Sequence, residues 1–357
     1  MPNLLMQRLG ISTPIIQAPM AGGGDTVELV AAVSGAGGLG MIGAAYLTPE
    51  QIIERGRAVQ ALTPQPFGIN LFAPVPIPAV DDVAIEAAME RIKPYFDELG
   101  LPAPERPRPP QTTFDDQFAA CMEVGPAVFS VAFGLVQANA VAECKRRNIL
   151  VAGTATTVRE AQQLVEVGVD VVIAQGGEAG GHRSTFAGPF EAGMVGTMAL
   201  VPQILDAVRV PVIASGGIMD GRGIAAALAL GASAAQLGTA FLTCNEAGVC
   251  AAYKEAILSA REDDTAITRA FSGRPARGIR NRMLTDYEHD SAILPFPHQN
   301  ALTRPLRNAA SKAGRAEFLS LWAGQGLTLA RQQTAAELVA RLQSETAQAI
   351  ASLNHLR

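Results

Sequence analysis

At 357 residues, with 48% hydrophobic and 17% charged side chains, the chain can bury the core of one large globular domain or two modest ones. A net charge of −5, an aromatic content of 5% and the lack of any basic run of five or more argue against a nucleic-acid partner. Four cysteines, Cys121, Cys144, Cys244 and Cys250, have no metal-like spacing, which predicts free thiols in a reducing, cytoplasmic setting.

The first residues, Met1 to Arg8, lack the basic-then-apolar profile of a signal peptide. Eight short apolar runs then recur, each reading as a buried strand: residues 14–19 (PIIQAP), 38–43 (GLGMIG), 67–72 (FGINLF), 127–133 (AVFSVAF), 149–154 (ILVAGT), 171–176 (VVIAQG), 211–216 (PVIASG) and 234–239 (AAQLGT). Between them, segments such as 48–62, 136–147, 157–167 and 220–230 carry helical spacing, and Thr157 and Asp220 read as N-caps. Residues 223–245 carry no charge, yet Ser233, Gln236, Gly238 and Thr239 interrupt them. A buried helix followed by a buried strand fits that pattern better than a membrane span. Eight strand–helix alternations predict a closed parallel (β/α)8 TIM barrel.

Two regions stand outside the repeat. An insertion after the third strand, about 73–123, holds a helix near 83–99 and the proline-rich stretch 102–110. It follows the carboxyl end of a strand and should lie over the barrel mouth. After an eighth helix near Ala260 comes a tail with helical runs around 313–323 and 334–352. The expected division is a barrel over 1–262 and a smaller, mainly helical region over 263–357 that covers or flanks the active side.

The most informative stretch is Val171-Val-Ile-Ala-Gln-Gly-Gly-Glu-Ala-Gly-Gly-His-Arg183. A buried strand ends at Gln175 and opens into a loop with four glycines, including Gly180 and Gly181, before His182, the one histidine in the first 288 residues. A titratable ring in that position is where α/β proteins put chemistry. The duller possibility is a histidine that only braces its own loop. Ser215-Gly216-Gly217-Ile218 and Gln236-Leu237-Gly238-Thr239 end the seventh and eighth strands, where TIM barrels commonly hold a phosphate on backbone N–H groups. Met20, Ala21 and Gly22 after the first strand, Asn70 in the third and Gln175 at the end of the sixth add amides and small residues. Phosphate loops, amides and one imidazole suit a flat phosphorylated cofactor such as FMN. Pyridoxal phosphate is excluded because no lysine stands at a strand end.

Other motifs are weaker. Gly35-Ala-Gly-Gly-Leu-Gly40 has the glycine spacing of a dinucleotide site, but helix precedes strand, so it reads as an αβ turn. Glu178 and His182 have no second histidine nearby, so no metal is expected. No Gly-x-Ser-x-Gly elbow marks a serine hydrolase. His289, His298 and His355 read as surface or structural residues, and Cys244 and Cys250 as buried thiols.

Taken together, Gln17-Ala-Pro-Met-Ala-Gly22, Gly68-Ile-Asn-Leu-Phe72, Gln175 to Arg183, Ala214 to Arg222, Gln236 to Phe241 and Phe271-Ser-Gly-Arg-Pro-Ala-Arg-Gly278 resemble the nitronate monooxygenases, formerly called 2-nitropropane dioxygenases. The resemblance runs from about residue 10 to residue 330. It implies a TIM barrel that binds FMN non-covalently and oxidises alkyl nitronates, such as propionate 3-nitronate, with O2 to a carbonyl compound and nitrite. Asn70, Gln175, Gly180, Gly217 and Gln236 to Thr239 match positions that hold FMN in the family, and His182 matches its catalytic histidine. Ser184 departs from the glycine many relatives carry after the His-Arg pair. Arg183 either favours anions near the site or points to solvent, and Lys312 and Tyr287 are candidate substrate-side residues of the tail.

Two other functions share these features. A flavin-dependent NAD(P)H oxidoreductase, of the quinone reductase or enoyl-acyl-carrier-protein reductase type, would use the same barrel and Gly-Gly-His loop. A binding protein for a phosphorylated ligand would use the loops without turnover. Nitronate or nitroalkane and O2 are the expected partners, without nucleic acid or membrane, in a monomer or homodimer.

Overall fold

β-branched, uncharged runs become strands that are covered on both faces. The computed structural model describes residues 3–108, 110, 112–288 and 290–353. Its first six strands are β1 (Ile15–Gln17), β2 (Gly40–Gly43), β3 (Phe67–Phe72), β4 (Val128–Ala132), β5 (Leu150–Ala155) and β6 (Val171–Gln175). A two-residue strand, β7 (Gly181–His182), precedes β8 (Val212–Ser215) and β9 (Ala234–Leu237). All eight apolar runs are therefore strands. Leaving β7 aside, they pair in parallel in the order β1-β9-β8-β6-β5-β4-β3-β2. Ile16 bridges Leu39 just before β2, which closes the ring into a TIM barrel.

The helices around the ring are capped as the sequence suggests. Thr157 accepts from Glu160 N–H and Asp220 from Arg222 and Gly223 N–H. The glycine string at 35–40 is an αβ turn between helix Val27–Gly35 and β2. A Cβ at Gly40 would collide with the Val30 carbonyl, so that turn needs glycine for packing rather than for phosphate. The uncharged stretch from 223 divides into helix Gly221–Ala229 and β9. No helix among the described residues is long and apolar enough to cross a membrane. The four cysteines are free thiols.

Three apolar layers organise the molecule. One lies between the ring and its outer helices. A second fills the amino-terminal end of the barrel, where helix Leu4–Leu9 inserts Leu5 and Leu9 among Ile16, Met41, Val128 and Ile213. The third holds a cap over the opposite end, built from the inserted helix Asp82–Glu98 and much of the chain after Ala251.

The cap differs from the sequence reading in three ways. Hairpin strands β10 (Thr265–Thr268) and β11 (Ala276–Ile279) open the tail, and β11 pairs antiparallel with β7. The long helix is His298–Ala313, not 313–323. Gly314 ends it in a left-handed conformation at φ 66°, its N–H donating to Ala310 and Ser311 carbonyls. Finally, helix Ala251–Ser259, expected to complete the barrel, packs Ile257 into the cap. Helix Ala335–Ser352 instead lies on the barrel wall against helices Gly221–Ala229 and Val27–Gly35.

The plug gives a direct stability test. Leu9 is 4% exposed inside the amino-terminal apolar layer. Leu9→Ala should lower the unfolding free energy by about 2–5 kcal/mol in denaturant titrations.

Candidate active site

The carboxyl ends of the eight strands open into one cavity of about 430 Å³, a size suited to a small molecule. Met20, Ala21 and Gly22 enter it from β1. Their loop is anchored by Asp25, whose Oδ2 accepts Met20 N–H at 2.8 Å and Gly43 N–H at 2.5 Å. Burial pushes the Asp25 carboxyl up to about 7, against the opposing pull of those amides and Arg55. Asn70 lines the cavity from β3, and its Nδ2 donates to Ser130 Oγ at 2.8 Å.

Gly217, Gln236, Gly238 and Thr239 lie together at the ends of β8 and β9. Among the described residues, the N–H groups of Gly217, Gly238 and Thr239 have no protein acceptor. Gly217 has φ 69°, which a side chain rarely tolerates. Thr239 Oγ1 accepts from Gly324 N–H at 2.9 Å, binding the cap to this corner. Leu237 does not join the group. Alternation along the strand turns it into the outer apolar layer, where it is 1% exposed.

Gly180, Gly181 and His182 line the mouth beyond β6, the strand next to β8. A Cβ on Gly180 would strike the Ala323–Gly324 backbone of the cap. Gln175 also faces the cavity, but its amide is committed to the loop: Nε2 donates to the His182 carbonyl at 3.1 Å and Oε1 accepts Ser184 N–H at 3.0 Å. Ser184 fits there, buried and lining the cavity. Arg183 neither faces solvent nor meets the cavity. Its guanidinium donates to the carbonyls of Gly176 at 2.6 Å, Gln175 at 3.0 Å and Gly193 at 2.8 Å.

The His182 ring is half-buried, with Phe133, Phe296 and Trp322 at centroid distances of 5.7, 6.3 and 5.5 Å. Its Nε2 lies 2.8 Å from Ser272 Oγ. Burial, then Arg274 and Arg307, push its pKa down to about 3, so the imidazole is neutral at physiological pH.

Several lining residues were not read from the sequence: Ser272, Tyr46, Phe133, Trp322 and, on helix His298–Ala313, Asn300, Arg304 and Arg307. Ser272 lies within a segment already singled out. The arginines had a findable signal, since 300, 304 and 307 share one helical face. Arg304 lies over the Tyr46 ring at 4.8 Å, and Arg307 is held by Thr303 Oγ1 and Asn300 Oδ1 at 3.1 and 2.8 Å. Among the described residues, no aspartate or glutamate lines the cavity.

The two candidates from the tail do not reach the site. Tyr287 is buried in the cap beneath the Arg91 guanidinium, and Lys312 is exposed in the last turn of its helix. His298 is structural, its Nε2 meeting the Pro78 carbonyl at 3.1 Å. His289 and His355 fall outside the described residues.

A closed parallel barrel with its polar groups gathered at the strand carboxyl ends is the architecture of an enzyme. Comparison with known proteins narrows the class. The profile described as nitronate monooxygenase matches residues 3–345. A protein of Staphylococcus haemolyticus named "Probable nitronate monooxygenase" is 42% identical over 343 residues, covering 95% of this chain and 96% of the relative. The crystal structure of nitroalkane oxidase from Streptomyces ansochromogenes superposes with a TM-score of 0.91 at 39% identity, covering 99% of this chain and all (100%) of the other. FabK from Thermotoga maritima is more distant, with a TM-score of 0.78 and 28% identity over 100% of both chains. The chain belongs to the nitronate monooxygenase family, enzymes that oxidise nitronates.

The neutral histidine has a consequence for stability. Below its ordinary value of 6.5 the unfolded chain binds a proton there that the folded protein refuses until about pH 3. Unfolding therefore takes up protons in that window, and stability falls as pH drops through it. Melting temperatures measured from pH 7 down to pH 4 should fall less steeply for His182→Asn than for the wild type.

Proposed function

We propose that this enzyme uses FMN and O2 to convert alkyl nitronates, such as propionate 3-nitronate, into a carbonyl compound and nitrite, with His182 as the proton-transferring group. The observation that carries the reading is a neutral imidazole opening on a cavity that contains arginines and, among the described residues, no acidic side chain. A lone pair at that imidazole accepts a proton from the carbon beside a nitro group. Arg304 and Arg307 draw an anion into the mouth and stabilise the negative charge that ionisation leaves on the nitro oxygens. A substrate that arrives already ionised needs the arginines but not the base.

The residues fit FMN. Open amides at Gly217, Gly238 and Thr239 suit its phosphate without a lysine. The Gln236 side chain lines the cavity, and its amide is available to the ring, as is the Asn70 carbonyl oxygen. Met20, Ala21, Gly22, Gly180 and Gly181 offer small surfaces against which a flat ring can lie. Bound there, FMN would supply electron acceptance and reactivity toward O2. Free thiols at all four cysteines agree with a reducing compartment such as the cytoplasm.

The purified protein should be yellow and release FMN on denaturation. With propionate 3-nitronate and no NADH it should consume O2 and form nitrite. His182→Asn should cut turnover of a neutral nitroalkane by about 10²–10⁴-fold and spare the preformed nitronate by comparison. Arg304→Gln should raise KM for the nitronate more than it lowers kcat. Steady NADH oxidation without nitronate turnover would replace this reading with that of an NAD(P)H oxidoreductase.

A further inference from the structure

His182 meets the protein through one ring nitrogen, and the group it meets leaves little freedom in where the protons lie. Nε2 stands 2.8 Å from Ser272 Oγ, and Ser272 is 1% exposed. The same oxygen has two backbone neighbours, both on Arg274. It accepts Arg274 N–H at 3.2 Å and donates to the Arg274 carbonyl at 3.1 Å. A serine hydroxyl has one proton to give. If that proton goes to the Arg274 carbonyl, every group around Oγ is paired only when the imidazole donates from Nε2. The opposite arrangement commits it to a bare Nε2 and leaves the Arg274 carbonyl without the serine donor.

We infer that Ser272 is a positioning residue that holds His182 in the Nε2–H tautomer, with the unprotonated Nδ1 presented to the cavity as the proton acceptor. Nδ1 has no protein partner among the described residues, yet it is not among their sealed and unpaired polar atoms, so it is open to the space the ring lines. Phe133, Phe296 and Trp322 stand around the ring, and turning it over would forfeit the serine contact. The same contact survives proton transfer, because an imidazolium still donates from Nε2 to Oγ. In that step the carbon–hydrogen bond beside the nitro group breaks. Its proton goes to Nδ1 and its electron pair enters the carbon–nitrogen bond of the nitronate. Nothing is oxidised at that stage.

The kinetic part of this inference rests on the function proposed above; the tautomer does not. Protein labelled with [15N]histidine reports both ring nitrogens of each histidine in long-range ¹H–¹⁵N spectra, and His182→Asn identifies the His182 signals. The wild type should have a protonated Nε2 and a bare Nδ1. Ser272→Ala should mix the tautomers, and Ser272→Thr, which keeps the hydroxyl, should restore the wild-type pattern. Ser272→Ala should also lower kcat/KM for a neutral nitroalkane by about two- to tenfold relative to the preformed nitronate, the cost of one lost hydrogen bond in proton transfer. A wild-type spectrum of the Nδ1–H form, or an unchanged tautomer in Ser272→Ala, would overturn the assignment. Failure to turn over any nitro compound would instead strike the functional reading and leave the spectra to decide the tautomer.

Discussion

A guanidinium with no carboxylate partner among the described residues holds the working loop in shape. Arg183 is 1% exposed and places its donors on the carbonyls of Gln175, Gly176 and Gly193. Removing a cation from water is costly, and burial followed by repulsion from Arg277 pulls its pKa down to about 10. It nonetheless remains charged at neutral pH. In return, the backbone on both sides of β7 is tied to the end of β6. Successive residues of a strand face opposite ways, so anchoring Arg183 in the wall turns its neighbour His182 toward the cavity.

Cap and barrel are joined by the same device. Arg277 on β11 donates to the Gly177 carbonyl at 2.9 and 3.2 Å, and Arg274 reaches the carbonyls of Arg183 and Thr185 at 3.0 and 2.7 Å. From the barrel side, buried Glu160 accepts N–H groups of Thr156, Phe186 and Ala187 at 2.7, 2.6 and 3.0 Å. A glycine-rich loop has few side chains with which to stabilise itself, so long side chains from three elements grip its backbone. The mouth is treated differently. There Arg304 is exposed and, among the described residues, Arg307 is held by neutral partners, which leaves their charge for a ligand.

The barrel was legible because its strands are uninterrupted apolar runs and its helices begin at side chains that cap them. The glycine corner and the placement of His182 on the cavity were legible because few residues other than glycine fit where a backbone must stay open to a ligand. What could not be read depends on the chain folding back. The β10–β11 hairpin completes a sheet with a two-residue strand too short to have a period of its own. Gln175 lines the cavity and also braces the loop, while Arg183 is a brace alone, roles set by which backbone groups lie within reach. Ser272, Arg304 and Arg307 lie far along the chain from the histidine they accompany, and only tertiary packing assembles them. Tyr287 and Lys312 failed for the same reason in reverse: their types suited a substrate, but Tyr287 is buried inside the cap and Lys312 is exposed on the last turn of a helix whose earlier residues line the mouth.

The helix on the barrel wall has a bearing on how the ring is completed. Ala335–Ser352 occupies the slot on the barrel wall between a helix that begins at Val27 and another that begins at Gly221. The two helices it packs between come much earlier in the chain, so the slot is closed by contacts distant in sequence. Until those contacts form, the apolar surface beside the two helices stays wet, and the entropy of closing a long loop opposes covering it. Loss of this helix would therefore leave the barrel with an open flank, although none of its residues lines the cavity.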